Sequence, residues 1–373
     1  MNSMRAETFR TFRALAAVLA VALALPIAAA ERQAAEAKAG QVPAAKAKIV
    51  ILATGGTIAG AQPKPGDIGY KAGAFSVETL IKAVPGLSDL ATVSGEQIAS
   101  IGSQDMNDAV WIKLARRVNE VLADPAVAGV VITHGTDTME ETGYFLNLVT
   151  KSDKPVVLVG SMRPATAVSA DGPMNLYNAV AVAANKDARG RGALVVLNDV
   201  IHYARETTKT NTTSLDTFHS PNRGPAGFVL SGNARWFAKP RSTHTVDSVF
   251  AGAIPDALPR VDIVYAYANV GPEFVKAAVA AGAKGLVLAG VGDGNGTAAL
   301  VDALASAAKK GVVVVRSSRT NSGAVARNVE LDDDKLGFVA SQELNPQKAR
   351  VLLQLALTKT KDAKAVQQLF DEY

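Results

Sequence analysis

Ile49-Val50-Ile51-Leu52-Ala53-Thr54-Gly55-Gly56-Thr57-Ile58-Ala59-Gly60 is an apolar run that stops at a pair of glycines. A short apolar run bounded in this way reads as a strand buried on both faces, the kind found in parallel sheets. Val130-Val131-Ile132-Thr133-His134-Gly135-Thr136-Asp137-Thr138 has the same form. In open α/β sheets, ligands and chemistry collect outside the carboxyl ends of the strands. Thr57 and Thr136 each place a hydroxyl at such an end. One loop of this sort is compatible with a plain turn. Two suggest a site built on threonine rather than on cysteine, histidine or metal.

Outward from these runs, β-branched segments alternate with helical ones. Strands are predicted at 48–54, 129–134, 156–160 and 193–198, and helices at 76–84, 108–122, 139–149 and 174–185. The alternation predicts a doubly wound, mainly parallel sheet with helices on both faces. Thr138-x-x-Glu141 reads as a capping box, and Asn107 or Asp108 as the cap of helix 108–122. The pattern weakens from Trp236 to Pro259, where Pro240, Pro255 and Pro259 suit a linker. A second α/β series follows, with strands at 261–267, 285–289 and 312–316 and helices at 273–281 and 298–309. Asn345-Pro346 reads as an N-cap followed by proline at the first helical position, opening a final helix through Lys359. The expected architecture is therefore α/β with two domains: a larger N-terminal one over 48–237, a linker over 238–259, and a smaller C-terminal one over 260–373.

Residues 1–30 read as a signal peptide. Arg5, Arg10 and Arg13 form a positive n-region, and Ala14 to Ile27 is apolar but too short for a membrane span. Ala28-Ala29-Ala30 supplies the small residues of a cleavage site; an uncleaved anchor is the alternative. Residues 31–47 read as a flexible leader. No later stretch is long and apolar enough to span a bilayer, so a soluble, periplasmic mature protein is expected.

The chain has no cysteine. An exported protein is free to form disulfides; without them its stability rests on the core, for which roughly 325 residues suffice. A thiol nucleophile and a cysteine-ligated metal are excluded. His134, His202, His219 and His244 lack ligand spacing, and neither a metal nor another cofactor is expected. Three Arg and one Glu in residues 1–30 account for +2 of the whole-chain charge of +5, leaving +3. The basic residues are scattered, with no run interleaved with aromatics, so no nucleic-acid partner is expected.

Gly55-Gly56-x-x-x-Gly60 has neither the dinucleotide-binding spacing nor a Walker lysine. It is either a tight turn with an incidental Thr57, or space cleared for a substrate beside that hydroxyl. A threonine hydroxyl is a weak nucleophile and needs a base or acceptor. Tyr70 lies in the Gly- and Pro-rich segment 61–70, which reads equally as a mobile lid or a surface loop anchored by Tyr70. Asp137 sits at a helix start, where the dipole favours an anion. Capping explains Thr138 and Glu141 but not Gly135-Thr136-Asp137. Gly102-Ser103-Gln104-Asp105 offers polar groups before a helix, as an ordinary cap also would. Gly290-Val291-Gly292-Asp293-Gly294-Asn295-Gly296 is glycine-rich, but no lysine supports a phosphate site. Lys209, among neighbouring hydroxyls in 205–213, suits a base only if burial lowers its pKa.

Taken together, these motifs resemble the bacterial-type L-asparaginases, in particular the exported type II group that includes the glutaminase-asparaginases. The resemblance runs from Lys48 to Tyr373. It rests on Ala53–Gly60 and His134–Thr138 in this order and spacing, with Ser161–Pro164, Ser169–Ala179 and Leu344–Arg350 in support. It implies hydrolysis of L-asparagine to L-aspartate and ammonia through a threonine acyl-enzyme, with a dual glutaminase-asparaginase as the alternative. It also implies a homotetramer, a dimer of tight dimers, whose sites combine the N-terminal domain of one subunit with the C-terminal domain of its partner. Carried onto this chain, Thr57 is the nucleophile and Tyr70 the lid residue that activates it. Thr136, Asp137 and Lys209 form a second polar cluster. Ser103, Gln104 and Asp137 hold the α-carboxylate and α-amine of the substrate, and Asn295 and Glu330 reach in from the neighbouring subunit. Relatives often carry one disulfide, which this chain lacks. Gly102-Ser103-Gln104 together with Asn295 leans toward asparagine. A carboxylate beside Lys209 favours the protonated lysine and opposes a role as base. A periplasmic amino-acid-binding protein is the reading from another class, and it leaves both threonines without a role.

Overall fold

Side-chain alternation along β1 (Lys48–Gly55) divides the N-terminal region into two apolar layers. Val50 and Leu52 face one layer; Ile49, Ile51 and Ala53 face the other. The computed structural model describes residues 46–373 apart from Pro65 and Ile68. The signal peptide expected at 1–30 lies outside the described residues, as does the leader as far as residue 45.

β1 runs parallel to β2 (Thr92–Ile101) on one side and β3 (Val127–Thr133) on the other. β4 (Val156–Val159) and β5 (Ala193–Leu197) continue in parallel. β6 (Val200–Tyr203) then turns back antiparallel. A separate short hairpin, β7 (Thr208–Lys209) with β8 (Phe218–His219), precedes β9 (Gly227–Leu230) and β10 (Asn233–Trp236). The eight-stranded order is β10-β9-β6-β5-β4-β3-β1-β2. Helices α1 (Val77–Lys82), α2 (Leu87–Leu90), α3 (Asp108–Ala123), α4 (Met139–Val149) and α5 (Gly172–Ala184) cover it. α3 and α4 pack on the Val50 face through Trp111, Leu114, Tyr144 and Phe145. α1, α2 and α5 pack on the Ile51 face through Val77, Leu87 and Val180. This is the expected doubly wound sheet, with an antiparallel extension at one edge.

The second sheet is parallel and in chain order: β11 (Val261–Tyr265), β12 (Gly285–Gly290), β13 (Val313–Ser318) and β14 (Phe338–Ala340). α6 (Glu273–Ala280) and α7 (Ala298–Lys309) cover one face; α8 (Asp333–Leu336) follows β13. α9 (Pro346–Ala356) and α10 (Ala363–Glu372) pack on the other face. There Leu352 and Val366 join Val287 and Val315 in the same apolar cluster as Tyr144 and Phe145 of α4. The two sheets thus share one continuous core between α4 and α9.

Asn107 caps α3 by accepting from Val110 N at 3.1 Å, and Asn345 caps α9 by accepting from Lys348 N at 3.1 Å, as expected. The capping box does not form. Thr138 makes no side-chain cap bond; its hydroxyl instead donates to the Ser103 carbonyl at 2.8 Å, because the 102–105 loop packs against the helix start. Several elements were not expected. β2 is a half-exposed edge strand of mixed polarity with no apolar run, and β6, β9, β10, β14 and α10 are short or largely polar.

The glycine-rich 290–296 segment is a tight turn closed by paired bonds between Val291 and Asn295, not a phosphate cradle. Arg316, fully buried on β13, holds it. Its Nη1 donates to the Asp293 carbonyl at 2.8 Å and its Nη2 to the Ala326 carbonyl at 2.9 Å. Nε and Nη2 make a bidentate pair with the equally buried Asp333, at 2.6 and 2.7 Å. Removing one member leaves an uncompensated charge in the interior. Asp333→Ala is expected to lower unfolding free energy by about 3–5 kcal/mol, read from urea denaturation; a loss under about 1 kcal/mol would contradict this account.

Candidate active site

Steric contact between backbones builds the site. Gly56 has φ +81°, and a Cβ there would lie 2.2 Å from Gly135 N. A Cβ on Gly135 would lie 2.5 Å from Ser103 Oγ, and one on Gly55 (φ +107°) 2.4 Å from the Ile101 carbonyl oxygen. Loops after β1, β2 and β3 therefore stack directly on one another, at distances only glycine permits. β1 pairs in register with β3, Ala53 opposite Thr133, so both chains leave the sheet at the same level.

Thr57 opens a 3₁₀ turn and is buried. Its Oγ1 lies 2.7 Å from the Tyr70 hydroxyl. Tyr70 is 43% exposed and belongs to a loop pinned by the Ala61–Lys71 bridge. Its ring lies against Gly60, where a Cβ would come within 2.8 Å of it. The second threonine has a different partner: Lys209 Nζ donates to Thr136 Oγ1 at 2.9 Å and to Asp137 Oδ1 at 2.6 Å. Lys209 comes from β7, so this contact joins segments far apart in the chain.

Ser103 Oγ accepts from Asp137 N at 3.1 Å, and with the Thr138 bond this ties the 102–105 loop to the start of α4. The Asp137 N–H is thereby occupied, while the Thr136 N–H takes no partner among the described residues. Gln104 is exposed, its amide folded against Gly102. Asn295 Nδ2 donates to Glu330 Oε2 in the C-terminal region. Among the described residues, no hydrogen bond or ion pair joins that pair to the Thr57 or Thr136 groups. The structure therefore gathers Thr57, Tyr70, Ser103, Gln104, Thr136, Asp137 and Lys209 on adjoining loops, and pairs Asn295 with Glu330 elsewhere.

His134, read from sequence only as lacking ligand spacing, has a structural task. Trp111 Nε1 donates to Thr142 Oγ1 at 2.8 Å, and that hydroxyl lies 2.8 Å from His134 Nε2. Nδ1 lies 2.7 Å from the Gly135 carbonyl. An indole N–H only donates and a carbonyl only accepts, so the chain has one direction: Trp111 to Thr142 to Nε2, with Nδ1–H donating to Gly135. Complete burial pushes the imidazole pKa down to about 4, which keeps the ring neutral. His134 holds the backbone beside Thr136 and has no free nitrogen for catalysis. Lys348 was also missed. A lysine in the first turn of α9 opposes the helix dipole, although only the structure shows it to be buried.

Buried hydroxyls at the carboxyl ends of parallel strands, one against a phenol and the other against a lysine, define a hydrolase-type site built on threonine. Residues 48–242 match the family described as "Asparaginase, N-terminal", and residues 260–370 the one described as "Glutaminase/Asparaginase C-terminal domain". The chain belongs to the asparaginase family. It is 56% identical over 325 residues to a protein of Haemophilus influenzae named "Probable L-asparaginase periplasmic", covering 87% of this chain and 93% of that one. L-asparaginase 2 of Escherichia coli is 54% identical with the same coverage. A glutaminase-asparaginase of Pseudomonas fluorescens is 48% identical over 357 residues, 95% of this chain and 97% of that protein. A solved structure, the probable cytoplasmic L-asparaginase from Campylobacter jejuni, superposes with a TM-score of 0.85 at 50% identity, covering 88% of this chain and all of that one.

Gly56→Ala is expected to push the loops after β1 and β3 apart and lower kcat/KM by about 10²-fold or more, with steady-state ammonia release as the measurement. Glu141, at the start of α4, gives a pH test. Burial pushes its carboxyl up to about 7, against a smaller opposing pull from Arg350. A carboxyl whose pKa is higher folded than unfolded binds more protons in the native state. Stability is then fullest below the unfolded value, about 4.3, and falls as pH rises toward 7. Glu141→Gln is expected to match the parent Tm near pH 4.5 and exceed it near pH 8; equal Tm values at both would refute the assignment.

Proposed function

We propose that this protein is an L-asparaginase: an amidohydrolase that converts free L-asparagine to L-aspartate and ammonia through an acyl-enzyme on Thr57. The observation that carries the reading is the 2.7 Å contact between Thr57 Oγ1 and the Tyr70 hydroxyl, opposite the Lys209–Thr136 pair. A phenol both accepts and donates, so Tyr70 relays the proton. Thr57 Oγ attacks the side-chain amide carbon, and its proton passes through Tyr70 to the leaving nitrogen. The C–N bond breaks, ammonia departs, and an ester to Thr57 remains. Water then attacks the ester carbon, a proton returns to Thr57 Oγ, and aspartate leaves. Splitting one hard displacement into two is the benefit of covalent catalysis.

The Thr136 N–H, which takes no partner among the described residues, is the natural donor to the developing oxyanion. Lys209, already shared between Thr136 at 2.9 Å and Asp137 at 2.6 Å, acts as a fixed positive charge that orients them. The exposed part of Asp137 pairs with the substrate ammonium, and Ser103 and Gln104 hold its carboxylate. A peptide-bound asparagine lacks that ammonium and is excluded. Asn295 and Glu330 complete the site from a neighbouring subunit, in a homotetramer of tight dimers. We place the mature protein in the periplasm, in line with the name of the Haemophilus influenzae relative.

Ammonia release from asparagine, parent beside Thr57→Ala, tests the core of this reading. The variant is expected to lose turnover by about 10⁴-fold or more while keeping its Tm. Undiminished release in Thr57→Ala, or none from the parent, would sink it; the second result would fit an amino-acid-binding protein. Substantial glutamine hydrolysis is a second reading, favoured by the 48% identity to a protein named glutaminase-asparaginase. The ratio of kcat/KM on the two amides decides between them, and the Gly102-Ser103-Gln104 and Asn295 pattern favours asparagine.

A further inference from the structure

The start of α9, in the C-terminal region, reaches across the shared core to both sides of the Lys209–Thr136 contact. Lys348 is only 3% exposed. Its Nζ donates to the Arg205 carbonyl at 2.9 Å and to the Thr207 carbonyl. Those residues lead directly into β7, the two-residue strand that delivers Lys209. The same Nζ lies 3.6 Å from Glu140 Oε2. Glu140 is equally buried and sits on the first turn of α4, three residues after Asp137. Asn345 Nδ2 and Gln347 Nε2 donate to its two carboxylate oxygens at 3.0 and 2.9 Å, and Asn345 Nδ2 also lies 3.4 Å from Thr208 Oγ1.

We propose that Lys348, with Glu140 as its counter-charge, is a positioning residue for the reaction: it fixes the β7 strand and the α4 start to one another, so that Lys209 meets Thr136 and Asp137. The inference rests on the role given above to Lys209. Three features separate this arrangement from ordinary core packing. The lysine stands at the helix end where the dipole repels it, so its location is set by its acceptors. Burial pushes its pKa down from the ordinary lysine value, and Glu140, 3.6 Å away, is the largest influence in the opposite direction. Its acceptors are main-chain carbonyls of the segment ending at Lys209, so a shift of Lys348 displaces that strand rather than a neighbouring side chain. Burying this pair contributes little net stability, since desolvation offsets the attraction; what it supplies is a fixed distance between two elements.

A double-mutant cycle tests it, using purified full-length protein and kcat and KM for asparagine. Lys209→Met alone is expected to lower kcat by about 10²-fold or more with little change in KM. Lys348→Met in the parent background is expected to lower kcat by about tenfold or more, also with little change in KM. In the Lys209→Met background the same change should alter kcat by less than about twofold, because nothing remains to be positioned. A residue that only supports folding would cost the same factor in both backgrounds, and that additive result would overturn the positioning role while leaving Lys209 catalytic. Unchanged turnover in Lys209→Met would overturn both. Should Lys348→Met not fold, Glu140→Gln, which keeps shape and one acceptor oxygen, replaces it in the same cycle with the same two expectations.

Discussion

Backbone against backbone, Gly56 on Gly135, is the constraint from which the rest of the site follows. Two parallel strands leave the sheet in register, and their loops meet with no room for a Cβ between them. That contact puts Thr57 and Thr136, each the next residue after its glycine, on adjoining segments anchored to rigid strands. Ser103, packed on Gly135, adds the loop after β2. Catalytic geometry needs placement to a fraction of an ångström, and a strand end with a sterically closed loop gives it more firmly than a free loop would. Tyr70 is the exception. It lies on a half-exposed loop closed by the Ala61–Lys71 bridge, so its contact with Thr57 depends on that loop rather than on a strand end.

Two of the buried ion pairs tie main-chain segments together. Arg316 and Asp333 hold together the turns that present Asn295 and Glu330. Lys348 and Glu140 hold together the elements that present Lys209 and Thr136. An apolar pair of like volume would stabilise either location as well or better, but it would not bind several main-chain carbonyls at fixed distances. The shared core between α4 and α9 makes the second of these possible, since it brings a C-terminal helix end against an N-terminal one.

Strongly patterned elements were legible from the chain. β1, β3, α3, α4 and α7 lie within a residue or two of the spans their periodicity predicts. β2 was not legible, because an edge strand exposed on alternate positions can carry Thr92, Ser94, Glu96 and Gln97 and leave no apolar signature. Thr138 shows the limit of a motif. Its spacing to Glu141 fits a capping box, yet the Ser103 carbonyl, from a different loop, captured the hydroxyl. The direction of the His134 chain required Trp111 and Thr142, which no spacing links to it.

By itself the sequence determined where reactive hydroxyls stand: glycine after an apolar strand, then threonine, is a local pattern, and local sterics make it a strand end with an open loop. Tertiary structure alone decided the division of labour between them. Thr57 met a phenol thirteen residues away and Thr136 a lysine seventy-three residues away. A hydrogen bond depends on atoms coming within about 3 Å, and which distant segments do so is fixed by sheet order and core packing, not by the residues on either side.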